Sequence, residues 1–268
     1  PAPGTPSGAP AQLANAATSP GDFTIQPTRL GQRPPAIDGV LNDEAWARAA
    51  VVDNFTQQEP FIGQPASERT EVRLTYDANH LYIGVRLYDS TPDQIIATEM
   101  RRDSPRLLDE DNFQVILDTF RDSSTGYMFV TNPRGAKLEQ QVFEEGGGSA
   151  RGAVSNINRD WDGVWEVAAQ RTTEGWTAEI AIPLVTLRSP DVASQTWGVN
   201  FMRNIRRKNE QVFWAPIPKP YTVTRVSLAG TVSGMTSISR GLDLRIKPFL
   251  IAGGRRDRAG STVDGRGL

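Results

Sequence analysis

The chain has 268 residues, with 29 Lys and Arg against 31 Asp and Glu for a net charge of -2, no cysteine, and one histidine, His80. The near balance of charge gives no reason to expect binding to nucleic acid or to an anionic membrane surface. The absence of cysteine excludes disulfides and Cys-based zinc sites, the single histidine excludes a multi-histidine metal site, and the sequence has no run of 18 apolar residues that could form a transmembrane helix.

The two ends of the chain differ in composition from its middle. Residues 1–23 are mostly Pro, Ala, Gly, Ser and Thr, and residues 251–268 are rich in Gly and Arg. Neither segment carries enough large apolar side chains to offset the entropy lost on ordering, so we predict two extended tails on one domain at 24–250. The start at Pro1, without an initiator methionine, is typical of an exported chain after removal of its signal peptide, or of a trimmed chain.

One or two short helices are predicted within the domain. The first runs from Asp43 to Ala50, with Asn42 as its N-cap and acidic residues in its first turn. Trp46 lies on this helix, where we expect it to anchor the helix in the core. A second turn is expected at Pro183, because proline suits the first position of a helix.

Alternating apolar and polar residues dominate the middle of the chain and predict four β-hairpins. The paired segments are 70–77 with 81–89, 112–120 with 126–135, 163–172 with 175–183, and 196–207 with 211–217. Four hairpins with little helix indicate an all-β fold, a two-sheet antiparallel β-sandwich of the jelly-roll type. Residues 242–250 alternate again, either as a last sandwich strand or as the first strand of a further element.

Five segments, in this order along the chain, resemble carbohydrate-binding family 9-like domains. They more closely resemble the version that precedes an outer-membrane β-barrel in many bacterial envelope proteins. The segments are AIDGVLNDEAWARA at 36–49, VRLTYDANHLYIGVRLYD at 72–89, DNFQVILDTFRDSSTGYMFVTNPRG at 111–135, WDGVWEVAAQRTTEGWTAEIAIPLVTLR at 161–188 and WGVNFMRNIRRKNEQVFWAP at 197–216. The resemblance implies a jelly roll whose sugar-binding members hold a saccharide between aromatic rings, often with structural calcium. It does not imply catalysis.

Trp161 is the leading candidate for sugar binding, because an indole packs well against the C–H face of a sugar ring. It follows the polar, Gly-rich stretch 146–160, which predicts a junction between a loop and a strand. Trp165 is the second candidate, since four residues along a strand return to the same face. The alternative for both rings is packing in the core.

Two charged clusters flank the loop that precedes the predicted strand at 112–120. The side chains that can hydrogen-bond sugar hydroxyls there are Arg101, Arg102 and Asn112. The carboxylates that can bind calcium are Asp109, Glu110 and Asp111, although their spacing does not fit an EF-hand loop. The alternative is a solvated loop with exposed ion pairs. No cofactor is required, and structural calcium is the one that these residues suggest.

The end of the predicted strand at 196–207 is basic. Its polar residues are Arg203, Asn204, Arg206 and Arg207. Arginine is enriched at protein interfaces, so these four residues are a candidate protein-contact patch. The alternative is a charged edge that prevents pairing between sheets.

Three functions remain open. A glycan-active enzyme is a distant alternative, because His80 has no serine or cysteine nucleophile motif and no carboxylate pair stands out. A carbohydrate-binding module is the closer alternative, supported by the resemblance and by Trp161. The favoured prediction is a non-catalytic accessory subunit in the periplasm, at a membrane surface of a Gram-negative-type envelope. It would dock on a membrane-associated protein complex through the sandwich and both tails, which add contact area at a cost in ordering.

Overall fold

The computed structural model describes residues 23–31, 33–146 and 156–239. Over these residues the chain forms two β-sheets, one short α-helix and several short 3-10 turns, so the predicted all-β sandwich is confirmed. The predicted tail at 251–268, the segment 242–250 and all of the tail at 1–23 except Phe23 lie outside the described residues. Within the described ranges, no helix is long and apolar enough to cross a membrane.

The described part of the chain contains fifteen strands and the helix α1, which spans Glu44–Arg48. The strands are β1 (Thr24–Ile25), β2 (Thr28–Arg29), β3 (Ala50–Val52), β4 (Thr56–Glu59), β5 (Thr70–Tyr76), β6 (His80–Tyr88), β7 (Asn112–Asp118), β8 (Gly126–Thr131), β9 (Lys137–Val142), β10 (Ile157–Asn158), β11 (Glu166–Thr172), β12 (Gly175–Pro183), β13 (Ser194–Ile205), β14 (Glu210–Phe213) and β15 (Gly230–Thr236).

The first sheet has nine strands in the order β1-β15-β13-β7-β8-β9-β10, with β14 paired to β13 and β4 paired to β14. The second sheet has six strands in the order β11-β12-β6-β5-β2, with β3 also paired to β5. All four predicted hairpins are confirmed as antiparallel pairs: β5 with β6, β7 with β8, β11 with β12, and β13 with β14.

The main core lies between the two sheets, and alternation along each strand decides which side chains enter it. In β5, for example, Val72, Leu74 and Tyr76 are at most 2% exposed and belong to this core. A second apolar layer covers the outer face of the first sheet, where Ile217 and Val223 of a long loop pack on strand residues. Because β7 lies between these two layers, all seven of its residues are buried.

The helix is shorter than predicted and begins one residue later. Its N-cap is Asp43 rather than Asn42, and it ends at Arg48 because the chain then enters β3. The Asp43 carboxylate does not cap the helix but accepts a hydrogen bond from the N–H of Ala36 (2.9 Å). The second predicted turn forms as a 3-10 turn at Leu184–Thr186.

Trp46 anchors α1 on the outer face of the second sheet, as the sequence predicts. It is 2% exposed, and its Nε1 donates to Glu179 on β12 (2.6 Å). Burial raises the pKa of Glu179, although this bond and two backbone N–H groups favour the ionised form. Beneath the indole lies Gly84 of β6, where an added Cβ would stand 2.9 Å from the ring. Glycine at this position therefore lets the helix approach the sheet.

Candidate functional site

Trp161 lies in the segment 159–165, which crosses from β10 at one edge of the first sheet to β11 at one edge of the second. Its indole is partly exposed and packs at the margin of the core, with ring centroids 5.1 Å from Tyr127 and 5.9 Å from Phe129. One part of the ring thus closes the core, while the remainder stays accessible.

The accessible part of Trp161 lines a groove with a volume of about 800 Å³, within the range usual for ligand sites. Three apolar side chains around it are strongly exposed: Phe143 at 43%, Val164 at 71% and Val185 at 53%. The polar residues of the lining are Gln141, Asn158, Asp160, Asp162, Thr186 and Arg188. Such a ring among hydrogen-bonding groups suits a carbohydrate, whose C–H face packs on the indole while its hydroxyls need fixed polar partners.

The sequence predicts Trp161 as a binding residue but none of the other groove residues. A signal was available for some of them, because polar side chains surround the indole in the run NRDWD at 158–162. Phe143 and Val185 come from distant parts of the chain, and only the fold brings them to the groove.

Trp165 does not line the groove, so its assignment as a sugar-binding ring is corrected. It is 2% exposed, packs edge-on against Phe129 (5.3 Å between centroids) and donates from Nε1 to Glu139 (2.8 Å). The Lys137 ammonium lies 5.2 Å from the ring centroid. The expectation of a shared strand face fails because β11 begins only at Glu166, so the parity of a strand does not apply between residues 161 and 165.

The two candidate arginines differ in their surroundings. Arg102 forms ion pairs with Glu139 of β9 and with Asp162 of the Trp161 segment (2.5 Å to the latter). The hydrogen bond to Glu139 raises the pKa of Arg102. Arg101 pairs with Glu99 (3.0 Å) and its side chain is 72% exposed. Arg102 therefore belongs to the surroundings of Trp161, whereas Arg101 forms a surface ion pair away from the groove.

Asn112 is fully buried at the start of β7, which corrects its assignment as a sugar contact. Its Nδ2 donates to the carbonyl oxygens of Leu107 (2.8 Å) and Glu110 (2.9 Å), and its Oδ1 accepts a hydrogen bond from Gln114 (2.9 Å). These bonds shape the turn before the strand and leave no group of Asn112 for a ligand.

The predicted calcium ligands do not converge on one point. The Glu110 carboxylate accepts hydrogen bonds from the backbone at 98–99, and that of Asp111 accepts one from the N–H of Ile96 (2.8 Å), while Asp109 is exposed. Burial raises the pKa of Asp111, which disfavours its charged form. Among the residues that the structure describes, no three His, Asp or Glu side chains are placed to hold a metal ion. The three carboxylates are therefore not grouped around one point, and structural calcium stays a prediction.

Arg203 is buried, contrary to its assignment to a protein-contact patch. It is 1% exposed, and its guanidinium donates to the carbonyl oxygen of Tyr88 (2.7 Å), the carbonyl oxygen of Arg69 (3.1 Å) and Oγ1 of Thr70 (3.1 Å). Burial lowers the pKa of Arg203 to about 10. The side chain leaves β13 in the first sheet and ends on strands of the second, so it ties the sheets together.

The other three residues of the predicted protein-contact patch do not form an exposed patch either. Arg207 pairs with Asp89 (2.5 Å) and Glu68 (2.9 Å), and Asn204 is 6% exposed and donates to a backbone carbonyl oxygen. Only Arg206 is exposed. The four residues therefore belong mainly to a polar network at one end of the sandwich, and the predicted contact patch is corrected.

Comparison with known proteins agrees with this architecture. Two solved complexes of a carbohydrate binding module family 9 from Caldicellulosiruptor kristjanssonii are similar to this chain. The complex with cellotriose has a TM-score of 0.54 at 17% identity over 84% of this chain and 100% of that chain. The complex with glucose has a TM-score of 0.55 at 16% identity over 82% and 100%. A candidate carbohydrate-binding protein from Bacteroides uniformis gives 0.60 at 12% identity over 79% and 98%.

No curated protein sequence matches the chain. The sequence profile named Carbohydrate family 9 binding domain-like matches residues 37–213, which is more than half of the chain. Because the solved structures are only 12–17% identical to this chain, they establish its fold. The profile match establishes its membership of the family. The chain therefore belongs to the carbohydrate family 9 binding domain-like family.

Proposed function

We propose that the chain is a carbohydrate-binding module, without catalytic activity, that holds an oligosaccharide in the groove beside Trp161. The observation that carries the proposal is the partly exposed indole among polar side chains in a groove of about 800 Å³. The family supports the ligand class, as do the similar proteins with cellotriose and glucose. These observations favour the carbohydrate-binding module, which the sequence suggested as the alternative, over the accessory subunit that was favoured from the sequence.

The lining favours a neutral ligand with more than one ring. Asp160 and Asp162 bring negative charge to the groove and Arg188 brings positive charge, so the lining does not select strongly for a charged sugar. Exposed Val164 and Val185 extend the apolar surface beyond the indole. A chain of neutral sugars can cover this surface, whereas a monosaccharide covers only part of it. We therefore expect cellotriose to bind more tightly than glucose.

Calorimetric titration with glucose, cellotriose and a panel of other neutral oligosaccharides tests the proposal. Trp161→Ala is expected to weaken binding by about 30-fold or more, as for the central aromatic residue of an interface. It should lower the free energy of unfolding by only about 2 kcal/mol, because part of the ring is already exposed. Phe61→Ala is the control, since Phe61 is 66% exposed and does not line the groove.

Two results would count against the proposal. One is wild-type affinity in Trp161→Ala with the control unchanged, which would move the site elsewhere. The other is failure of the wild-type protein to bind any neutral oligosaccharide of the panel, which would remove the function itself.

Docking on a membrane-associated complex in the periplasm stays a prediction. Of the candidate contact residues on which it was based, Arg203, Asn204 and Arg207 are engaged inside the fold. The tails on which it also depended lie outside the described residues. Purification from envelope membranes in mild detergent, with mass spectrometry of what remains attached, tests this role directly.

A further inference from the structure

We infer that Arg102 and Gly163 are positioning residues that set the Trp161 indole in the groove. The inference rests on the proposed function, because positioning matters only if Trp161 binds a ligand. Arg102 acts through Glu139 and Asp162, which hold the segment 159–165 from two sides. Gly163 acts directly, by leaving the space that the indole occupies.

The Arg102 contacts join three distant parts of the chain. Its Nη2 pairs with Glu139 Oε1 on β9 and with Asp162 Oδ1 (2.5 Å), and it donates to the carbonyl oxygen of Gly163 (3.2 Å). The second Glu139 oxygen accepts the indole N–H of Trp165 (2.8 Å). One guanidinium and one carboxylate therefore fix the middle and the end of the segment that begins just before Trp161.

Side chains make these contacts because the segment has no strand pairing of its own. It lies between β10, which ends at Asn158, and β11, which begins at Glu166. Additional bonds run from Lys137 Nζ to the carbonyl oxygen of Trp165 (2.6 Å) and from Thr186 Oγ1 to that of Val164 (2.8 Å). Glu139 is 1% exposed and Trp165 is 2% exposed, so the bond between them is shielded from water, whereas the Arg102 side chain at the other end of the contact is 44% exposed.

Gly163 determines where the indole can lie. A Cβ added to this residue would stand 2.7 Å from Trp161 Cη2 and 3.0 Å from Cζ2. Both distances are shorter than ordinary van der Waals contact, and the nearest atoms belong to the ring itself. The backbone of Gly163 does not adopt the left-handed region, so alanine can keep the main-chain conformation and the ring must move instead.

The test compares neighbouring arginines. Arg102→Met removes the ion pairs with Glu139 and Asp162, whereas Arg101→Met removes the ion pair with Glu99, a residue that contacts neither Trp161 nor Trp165 and keeps its hydrogen bond from Ser104. The readouts are the cellotriose dissociation constant and the indole ¹H–¹⁵N resonances, assigned with Trp161→Phe and Trp165→Phe. Arg102→Met is expected to weaken cellotriose binding by about tenfold, as when a supporting contact behind a binding group is lost, and to shift both indole resonances. Arg101→Met should change neither.

Two milder variants keep the test decisive if Arg102→Met does not fold. Asp162→Asn removes the negative charge of the contact with Arg102, at a side chain that is 81% exposed, and Gly163→Ala displaces the ring. Both should shift the Trp161 resonance and weaken cellotriose binding, with the Trp165 resonance unmoved. The inference is overturned if Gly163→Ala and Asp162→Asn leave the Trp161 resonance and the dissociation constant unchanged. If the wild-type protein binds no oligosaccharide, the proposed function fails, whereas the resonances still report whether these residues place the ring.

Discussion

Replacing Arg203 by methionine should destabilise the fold. Methionine keeps much of the apolar stem but cannot donate the hydrogen bonds to Tyr88, Arg69 and Thr70, which span from the first sheet to the second. The substitution also removes the positive charge 4.0 Å from the buried Asp89 carboxylate. The effect should therefore appear in unfolding rather than in association with a partner.

The structure allows the size of this effect to be worked out. Three hydrogen bonds from a charged donor at about 2 kcal/mol each contribute about 6 kcal/mol in total. Burial opposes them, because desolvation disfavours the charged form and lowers the pKa of Arg203 to about 10, although Asp89 and other nearby carboxylates favour that form. The net loss expected for Arg203→Met is about 3 kcal/mol, which agrees with typical values for breaking a buried charged interaction.

Urea unfolding followed by tryptophan fluorescence measures the difference. Arg206→Met is the matched control, since Arg206 is exposed and its side chain donates a hydrogen bond to that of Asn209 (3.2 Å), so its effect should stay within about 0.5 kcal/mol. If Arg203→Met unfolds at the same urea concentration as the wild type with an unchanged slope, the side chain is not a tie between the sheets.

Two further substitutions test other parts of the fold. Burial alone would raise the pKa of Glu68, but hydrogen bonds, first among them that from Lys208, lower this pKa from 4.5 to about 2. The ionised carboxylate therefore stabilises the fold above about pH 4.5, and this stabilisation is lost as the pH falls towards 2. With a discount for solvent screening, Glu68→Gln should lower the free energy of unfolding by about 2 kcal/mol at pH 7 and by almost nothing near pH 2. An equal loss at both pH values, measured by urea unfolding, would contradict this expectation. Gly84→Ala should cost about 2 kcal/mol, because the new Cβ meets the Trp46 ring, whereas Gly31→Ala, with open space around it, should leave the melting temperature nearly unchanged.

The sequence predicted the sandwich because alternation with a period of two is a local signal. Val72, Leu74 and Tyr76 report the face of β5 directly, and the short turn at 77–79 fixes its partner. The signal is absent in β7, where every residue is buried, since the second apolar layer comes from a loop about a hundred residues later in the chain. That strand was found from its apolar length and its neighbouring turns.

At Arg203, the alternation of the strand predicts burial, whereas the charge of the residue led us to expect a position on the surface. It shares strand parity with Trp197, Val199 and Phe201, all of which face the core. A buried arginine is tolerated here because carbonyl oxygens of the opposite sheet accept its hydrogen bonds, and no pattern in the sequence marks those acceptors.

The surroundings of Trp161 were beyond prediction for a different reason. Arg102 is 37 residues from Glu139 and 60 from Asp162 along the chain, and no spacing rule links them. The roles of Trp161 and Trp165 depend on where β11 begins, and strand boundaries are weakly encoded. The sequence thus identified an aromatic candidate but could not separate the accessible ring from the buried one.

The crossing segment at 159–165 gives this fold room to diversify. It joins one edge strand of each sheet and belongs to no strand itself, so we expect a substitution there to leave the strand ladders in register. Selection can accordingly alter ligand preference without rebuilding the scaffold, provided that the anchor at Trp165 is kept. For protein engineering, a library randomised at 160 and 164 would vary the groove while the two sheets continue to supply the stability.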